Sequence, residues 1–206
     1  MENNKKILRF CSLIGILIFA YYFLPVNFVQ GDDVTVTATV GSNISCNASA
    51  TSTAFGTLTT SVITTSTPDV TFTSGCNSDT GCVLYVEDTG DFTTNPCLYS
   101  TSSTDLIGSA DSSYADTALL VIGTEGYGIQ ATTTGSGSGG TLTIAPRFDQ
   151  AGDNVGGLET STTAVSSSSI PFADRETVIK HKAAISSGTL EASDYADVLT
   201  YSCTAI

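Results

Sequence analysis

Asp33-Val-Thr-Val-Thr-Ala-Thr-Val40 (DVTVTATV) alternates without a break, with Val34, Val36, Ala38 and Val40 on one face and Thr35, Thr37 and Thr39 on the other. An extended backbone sends successive side chains to opposite faces, so a period of two carried by branched residues predicts a β-strand. The same pattern returns at 44–48, 69–73, 82–88, 118–123, 127–133, 141–147, 177–185 and 198–204, with Gly, Asn, Asp and Ser between the runs. Eight or more short strands separated by turns predict an all-β chain folded as an antiparallel sandwich. A helical period is nowhere sustained; residues 190–196 predict at most one short turn of helix. Two connections read as hairpins. Asp88-Thr89-Gly90-Asp91 closes the strand over 82–88, and the glycine-rich 135–140 (GSGSGG) joins 127–133 to 141–147. The Ser/Thr-rich stretches 100–113 and 158–169 read as exposed loops.

The chain has 206 residues, of which 13% are charged, with 19 Gly and no Trp. A single domain is the expectation after the first thirty residues. Ser, Thr and Gly in place of Glu, Lys and Leu disfavour a helical bundle. Seven basic against twenty acidic residues give a net charge of -13, which leaves no basic surface for phosphates, so nucleic acid is not an expected partner.

Lys5, Lys6 and Arg9 precede an uncharged run over 10–24 (FCSLIGILIFAYYFL), followed by Pro25 and then Val29-Gln30-Gly31. A basic segment, an apolar helix-forming core and small residues beyond it are the parts of a secretory signal. Residues 1–31 are therefore expected to be a signal helix cut after Gly31, leaving one β-sandwich domain over 32–206. An uncleaved anchor is the alternative, and the only expected contact with a membrane. Cys11 lies before the apolar core, which argues against a lipidated terminus. Removing 1–31 takes away Lys5, Lys6, Arg9 and Glu2, leaving four basic and nineteen acidic groups on 175 residues. Repulsion of that size favours solubility and opposes direct adhesion to anionic polymers. The expected address is secreted or cell-surface.

Five cysteines follow the signal: Cys46, Cys76, Cys82, Cys97 and Cys203. In an exported chain they predict disulfides. Cys46 follows Ile44 on one face of an early strand, and Cys203 shares a face with Leu199 and Tyr201 on the last. A Cys46–Cys203 bridge is therefore expected to join the two ends of the domain. If Asp88–Asp91 makes a hairpin, Cys82 faces Cys97 and leaves Cys76 over. The alternative is a tight Cys76–Cys82 loop that leaves Cys97 over. Close C-x2-4-C pairs are absent, so zinc on Cys76, Cys82 and His181 is not expected.

His181, the only histidine, lies between two lysines on an expected strand. No nucleophile motif such as G-x-S-x-G accompanies it, and it reads as an outward-facing strand residue. No acidic pair is set apart by apolar surroundings for glycoside chemistry. The chain is accordingly not expected to be an enzyme, and no cofactor is expected. Asp149, Asp153 and Asn154 form an acidic turn whose oxygens are weak calcium candidates, as do Glu87, Asp88 and Asp91; neither has EF-hand spacing, and Asp, Asn and Gly are also what turns require. Asn43-Ile-Ser and Asn47-Ala-Ser match the glycan-acceptor pattern but fall on expected strands.

The opening alternation, Ile44-Ser-Cys46, Phe55-Gly56-Thr57 and the closing Ser193-Asp-Tyr195 to Val198-Leu-Thr-Tyr201 resemble the spore coat protein U family, which includes subunits of archaic chaperone-usher pili. The same ends are similar to WxL-type surface sandwiches, although the absence of Trp removes that group's defining motif. The chain departs from the coat-protein-U pattern in its long middle and in Cys76, Cys82, Cys97 and Cys203. The resemblance implies an Ig-like or pilin-like sandwich acting as a structural or adhesive cell-surface subunit, with like subunits or other surface proteins as partners. It also implies that the first strand completes a neighbour's sheet, making Val34, Val36 and Val40 donor side chains. The alternative is a monomeric module for glycans or surface polymers, with Tyr99, Tyr114 and Tyr127 on its binding loops.

Overall fold

The computed structural model describes residues 35–206, and among them every regular element is a strand. In chain order these are β1 (Ile44–Ala48), β2 (Thr64–Thr65), β3 (Val70–Cys76), β4 (Cys82–Asp88), β5 (Cys97–Ser100), β6 (Asp105–Gly108) and β7 (Thr117–Leu119). They continue with β8 (Gly126–Thr133), β9 (Ser138–Gly139), β10 (Thr143–Ile144), β11 (Asn154–Gly156), β12 (Thr163–Ser168), β13 (Phe172–Ala184) and β14 (Leu199–Ala205). One sheet runs β1-β3-β13-β8-β11-β7, with β2 and β9 also paired to β13; a second runs β10-β12-β4-β14. β5 and β6 form a separate two-stranded ribbon. All pairings between these strands are antiparallel, and the two main sheets pack together as a β-sandwich.

The thirteen-residue β13 is the spine of the larger sheet. Its Phe172–Ile179 part pairs with β3 and its Thr177–Ala184 part with β8. β3 shows the expected period, with Val70, Phe72, Ser74 and Cys76 buried and the residues between them half-buried. The core between the sheets holds Val70, Phe72, Ile129 and Ile179 from the larger sheet against Leu84, Val86 and Val165 from the smaller. Phe148 joins them from a turn, where its amide and that of Asp149 both donate to the Ala145 carbonyl.

Several sequence expectations change. Residues 1–31 and Val34 lie outside the described residues, and Thr35–Val40 forms no strand. The compact body begins at Gly41. The 135–140 run does not close a hairpin: Ser138–Gly139 pairs with Ala173 and Phe172 of β13, while only Thr143–Ile144 of the next expected strand pairs, and with β12. The Ser/Thr-rich stretches are not simply exposed loops. They hold β6, β12 and the last residue of β5, and bury Ser100, Ser109, Ser166 and Ser168. Small hydroxyls tolerate burial when bonded: Ser166 Oγ and Thr177 Oγ1 lie 2.8 Å apart across the sandwich, and Ser109 Oγ accepts the Leu158 amide. Residues 190–196 form no helical turn; Tyr195 OH instead donates to Asp105 Oδ2 at 2.6 Å.

Candidate functional site

The sandwich has one clasped end. β1 edges the larger sheet and β14 edges the smaller, and the Cys46–Cys203 disulfide joins them across the layers. Side-chain parity had placed both sulfurs inward, and the structure agrees. A second bridge, Cys76–Cys82, links the end of β3 to the start of β4, and Cys97 is a buried free thiol. Cys82 therefore does not pair with Cys97. The hairpin that would have aligned them cannot form, because β4 already has β12 on one side and β14 on the other. The chain leaves β4 at Asp88, about 20 Å along the strand from Cys82, and Cys97 pairs instead with Gly108 of β6. Disulfides of this kind fit an oxidising environment.

The chain enters β1 through a fixed gate. Asn77 Nδ2 donates to the Gly41 carbonyl at 2.8 Å, and Asn77 Oδ1 accepts the Asn43 amide at 2.6 Å. The Asn77 amide also donates to the Asn43 carbonyl at 3.1 Å. Upstream of this gate Val36 and Val40 are 87% and 85% exposed, an unusual state for alternating valines. β14 offers an edge of matching length: seven residues paired only with β4, with Thr200, Ser202 and Thr204 exposed. Near the clasp a cleft of about 220 Å³, its mouth included, is lined by Ile44, Gly75, Leu142, Phe172 and Cys203 among others.

At the other end of β4 lies a buried polar cluster that sequence reading missed. Asp88 is 2% exposed and its Oδ1 accepts the Gly90 amide; its ladder partner on β14 is Leu199, two residues beyond Asp197, and the Asp197 carboxyl is its charged neighbour. Tyr127 OH donates to Asp197 Oδ2 at 2.9 Å. Asp88 Oδ2 and Asp197 Oδ1 are both buried without a hydrogen-bond partner, as is the nearby Tyr201 OH. Burial, followed by the Asp197 charge, pushes Asp88 up to about 9, and burial also raises Asp197. Burial followed by the Asp88 charge pushes the Cys97 thiol up to about 12, so it is an inert, protonated group at neutral pH. Two neighbouring carboxyls can do acid–base chemistry where substrate reaches them; here Asp88 is shut off from solvent.

The remaining candidates resolve as structure. His181 does not face outward. It is 5% exposed on the inner face of β13, and burial lowers it to about 4, so the ring is neutral at pH 7. Asp153 holds Lys182 Nζ at 2.9 Å, and Asn154 opens β11, so the proposed calcium turn receives an ammonium instead; Asp149 is merely exposed. Asp91 caps its own loop, accepting the amides of Thr93, Thr94 and Asn95 at 2.9 to 3.0 Å, and these bonds together with that of the Thr93 hydroxyl hold it well below the usual carboxylate range. Asp194 accepts the Ser100, Thr101 and Ser102 hydroxyls in the same way. Much of the acidic charge thus serves as loop acceptors. Tyr127 is buried in the core and cannot belong to a binding surface with Tyr99 and Tyr114. No family model, curated protein or solved structure matches this chain.

Proposed function

We infer that the protein is an exported surface subunit that assembles with like copies by strand donation, the segment up to Val40 of one copy adding to a free sheet edge of the next. The observation that carries this reading is the exposure of Val36 and Val40 on a strictly alternating segment that has no strand partner. Alternating apolar residues need a surface to cover them, and an open edge supplies backbone partners as well. β14 is the preferred acceptor, because its seven residues match the donor in length and its side is already braced by the Cys46–Cys203 bridge. Donor and acceptor also suit one another electrostatically. Residues 34–40 and 199–205 carry no charge, so two copies, each strongly negative with four basic against nineteen acidic groups once residues 1–31 are removed, meet where repulsion is least. The body from Gly41 onward has its own closed core, so donation on this reading extends a sheet rather than filling a missing strand. The two disulfides and the basic-then-apolar start of the chain support export.

Deleting residues 32–40 tests this directly. Size-exclusion chromatography with light scattering should show ordered oligomers for the exported chain and monomer alone for the deletion, with an unchanged β-rich dichroism spectrum. Oligomers that persist after the deletion, or an intact chain that stays monomeric at millimolar concentration, would refute strand donation.

A further inference from the structure

We propose that the Asp88–Asp197 carboxyl pair is a proton-held latch that keeps the 89–96 loop closed over the Cys97 thiol, and that the latch loosens as pH rises. The loop joins β4 to β5 and is fastened chiefly from beneath. Gly90 donates its amide to Asp88, while Thr89 donates both its amide, at 3.1 Å, and its hydroxyl, at 2.8 Å, to the Val198 carbonyl, next in sequence to Asp197. Asp88 and Asp197 are 109 positions apart, so their contact ties the loop to the segment leading into β14. Cys97, immediately beyond the loop, is wholly buried.

The geometry favours a proton held by the pair. Two neighbouring buried carboxyls, each with an oxygen that has no hydrogen-bond partner, repel one another as charges unless one of them is protonated. Among the described residues no cation relieves that repulsion. Arg147 is held by Asp116 and Glu159, Arg175 by the carbonyls of Ser136, Gly139 and Gly140, Lys180 faces Asp69, and Lys182 sits on Asp153. The titratable groups that do face the pair are Tyr127 from β8, Tyr201 from β14 and Cys97 from β5, none of them a cation.

The sign follows from proton binding. In the closed state the proton is retained up to about pH 9, whereas an open, hydrated aspartate releases it near 3.8. Opening therefore releases a proton, and the open fraction grows with pH between those limits and levels off above them. One linked proton gives about a tenfold change per pH unit.

The test follows Cys97 in the full, non-reduced chain. Its reaction with 4,4'-dithiodipyridine is timed between pH 5 and pH 8 by mass spectrometry of the Cys97 peptide, each rate divided by that of the denaturant-unfolded chain at the same pH. Protection should fall about tenfold per pH unit in the native protein and stay flat in Asp88→Asn. Flat protection in the native protein, or the same slope in Asp88→Asn, overturns the latch. Should Asp88→Asn fail to fold, carboxyl carbon-13 shifts of the native protein decide instead: one aspartate of the pair titrating above pH 7 supports the latch, and none doing so overturns it.

Discussion

Replacing Cys46 and Cys203 together by alanine is expected to cost about 5 kcal/mol, whereas replacing Cys76 and Cys82 together costs about 2 kcal/mol. The difference lies in the chain each bridge closes: 157 positions for the first and six for the second. A cross-link stabilises mainly by restricting the unfolded chain, and the restriction grows with the logarithm of loop length. Single domains of this size are stable by about 5–15 kcal/mol in total, so the first loss removes a large share of the fold's stability. The Cys46–Cys203 bridge also joins the edge strands of two different sheets, where no ladder hydrogen bonds cross. Urea unfolding in non-reducing buffer reads both variants, and equal losses would mean that the clasp does not hold the layers.

Phe148→Ala should destabilise by about 3–5 kcal/mol. Phe148 is the largest fully buried side chain among the described residues, and it reaches the core from a turn. Its carbonyl accepts the Ala131 amide of β8 at 2.8 Å, and its ring lies so close to Gly156 that a Cβ there would meet ring and backbone at 2.4 Å. The ring is thus held from two sides, and its removal leaves a cavity that the surrounding backbone cannot readily close. Phe92→Ala is the internal comparison: Phe92 is a mostly exposed loop residue, and its replacement should shift stability by no more than about 0.5 kcal/mol. Thermal and urea unfolding of the two variants separate them, and comparable effects would place Phe148 outside the core.

The sequence was legible where parity along a strand decided the outcome. Residues 44–48 and 82–88 form the strands their alternation predicts, and the inward parity of Cys46 and Cys203 identified the long-range bridge. Legibility failed where a partner distant in sequence decided instead. β12 reads Thr-Ala-Val-Ser-Ser-Ser, which in isolation resembles a polar loop; it is a strand because β4 and β10 flank it and because the Ser166 and Thr177 hydroxyls hydrogen-bond one another. The Asp88 turn looked like a hairpin, since local turn chemistry is the same whether the next strand pairs back or crosses to a separate ribbon. His181 looked solvated between two lysines, yet alternation turns its side chain inward while Lys180 and Lys182 point out. The Asp88–Asp197 pair had no local signal at all. In the opposite direction, the strongest alternation in the chain, at 33–40, marks a segment whose described part has no partner in the structure, because a pattern records which residues want covering and not what covers them.

Hydrogen–deuterium exchange on the monomeric protein tests the central claim most directly, namely that the body from Gly41 onward closes on itself while the alternating segment before it stays available. The account predicts that amides of Ile129, Ala131 and Ile179, in the middle of the larger sheet, exchange only on global unfolding, and that Thr35–Val40 exchanges at the rate of an unstructured peptide. Slow exchange across Thr35–Val40 in the monomer, or rapid exchange of β8 and β13, would contradict it.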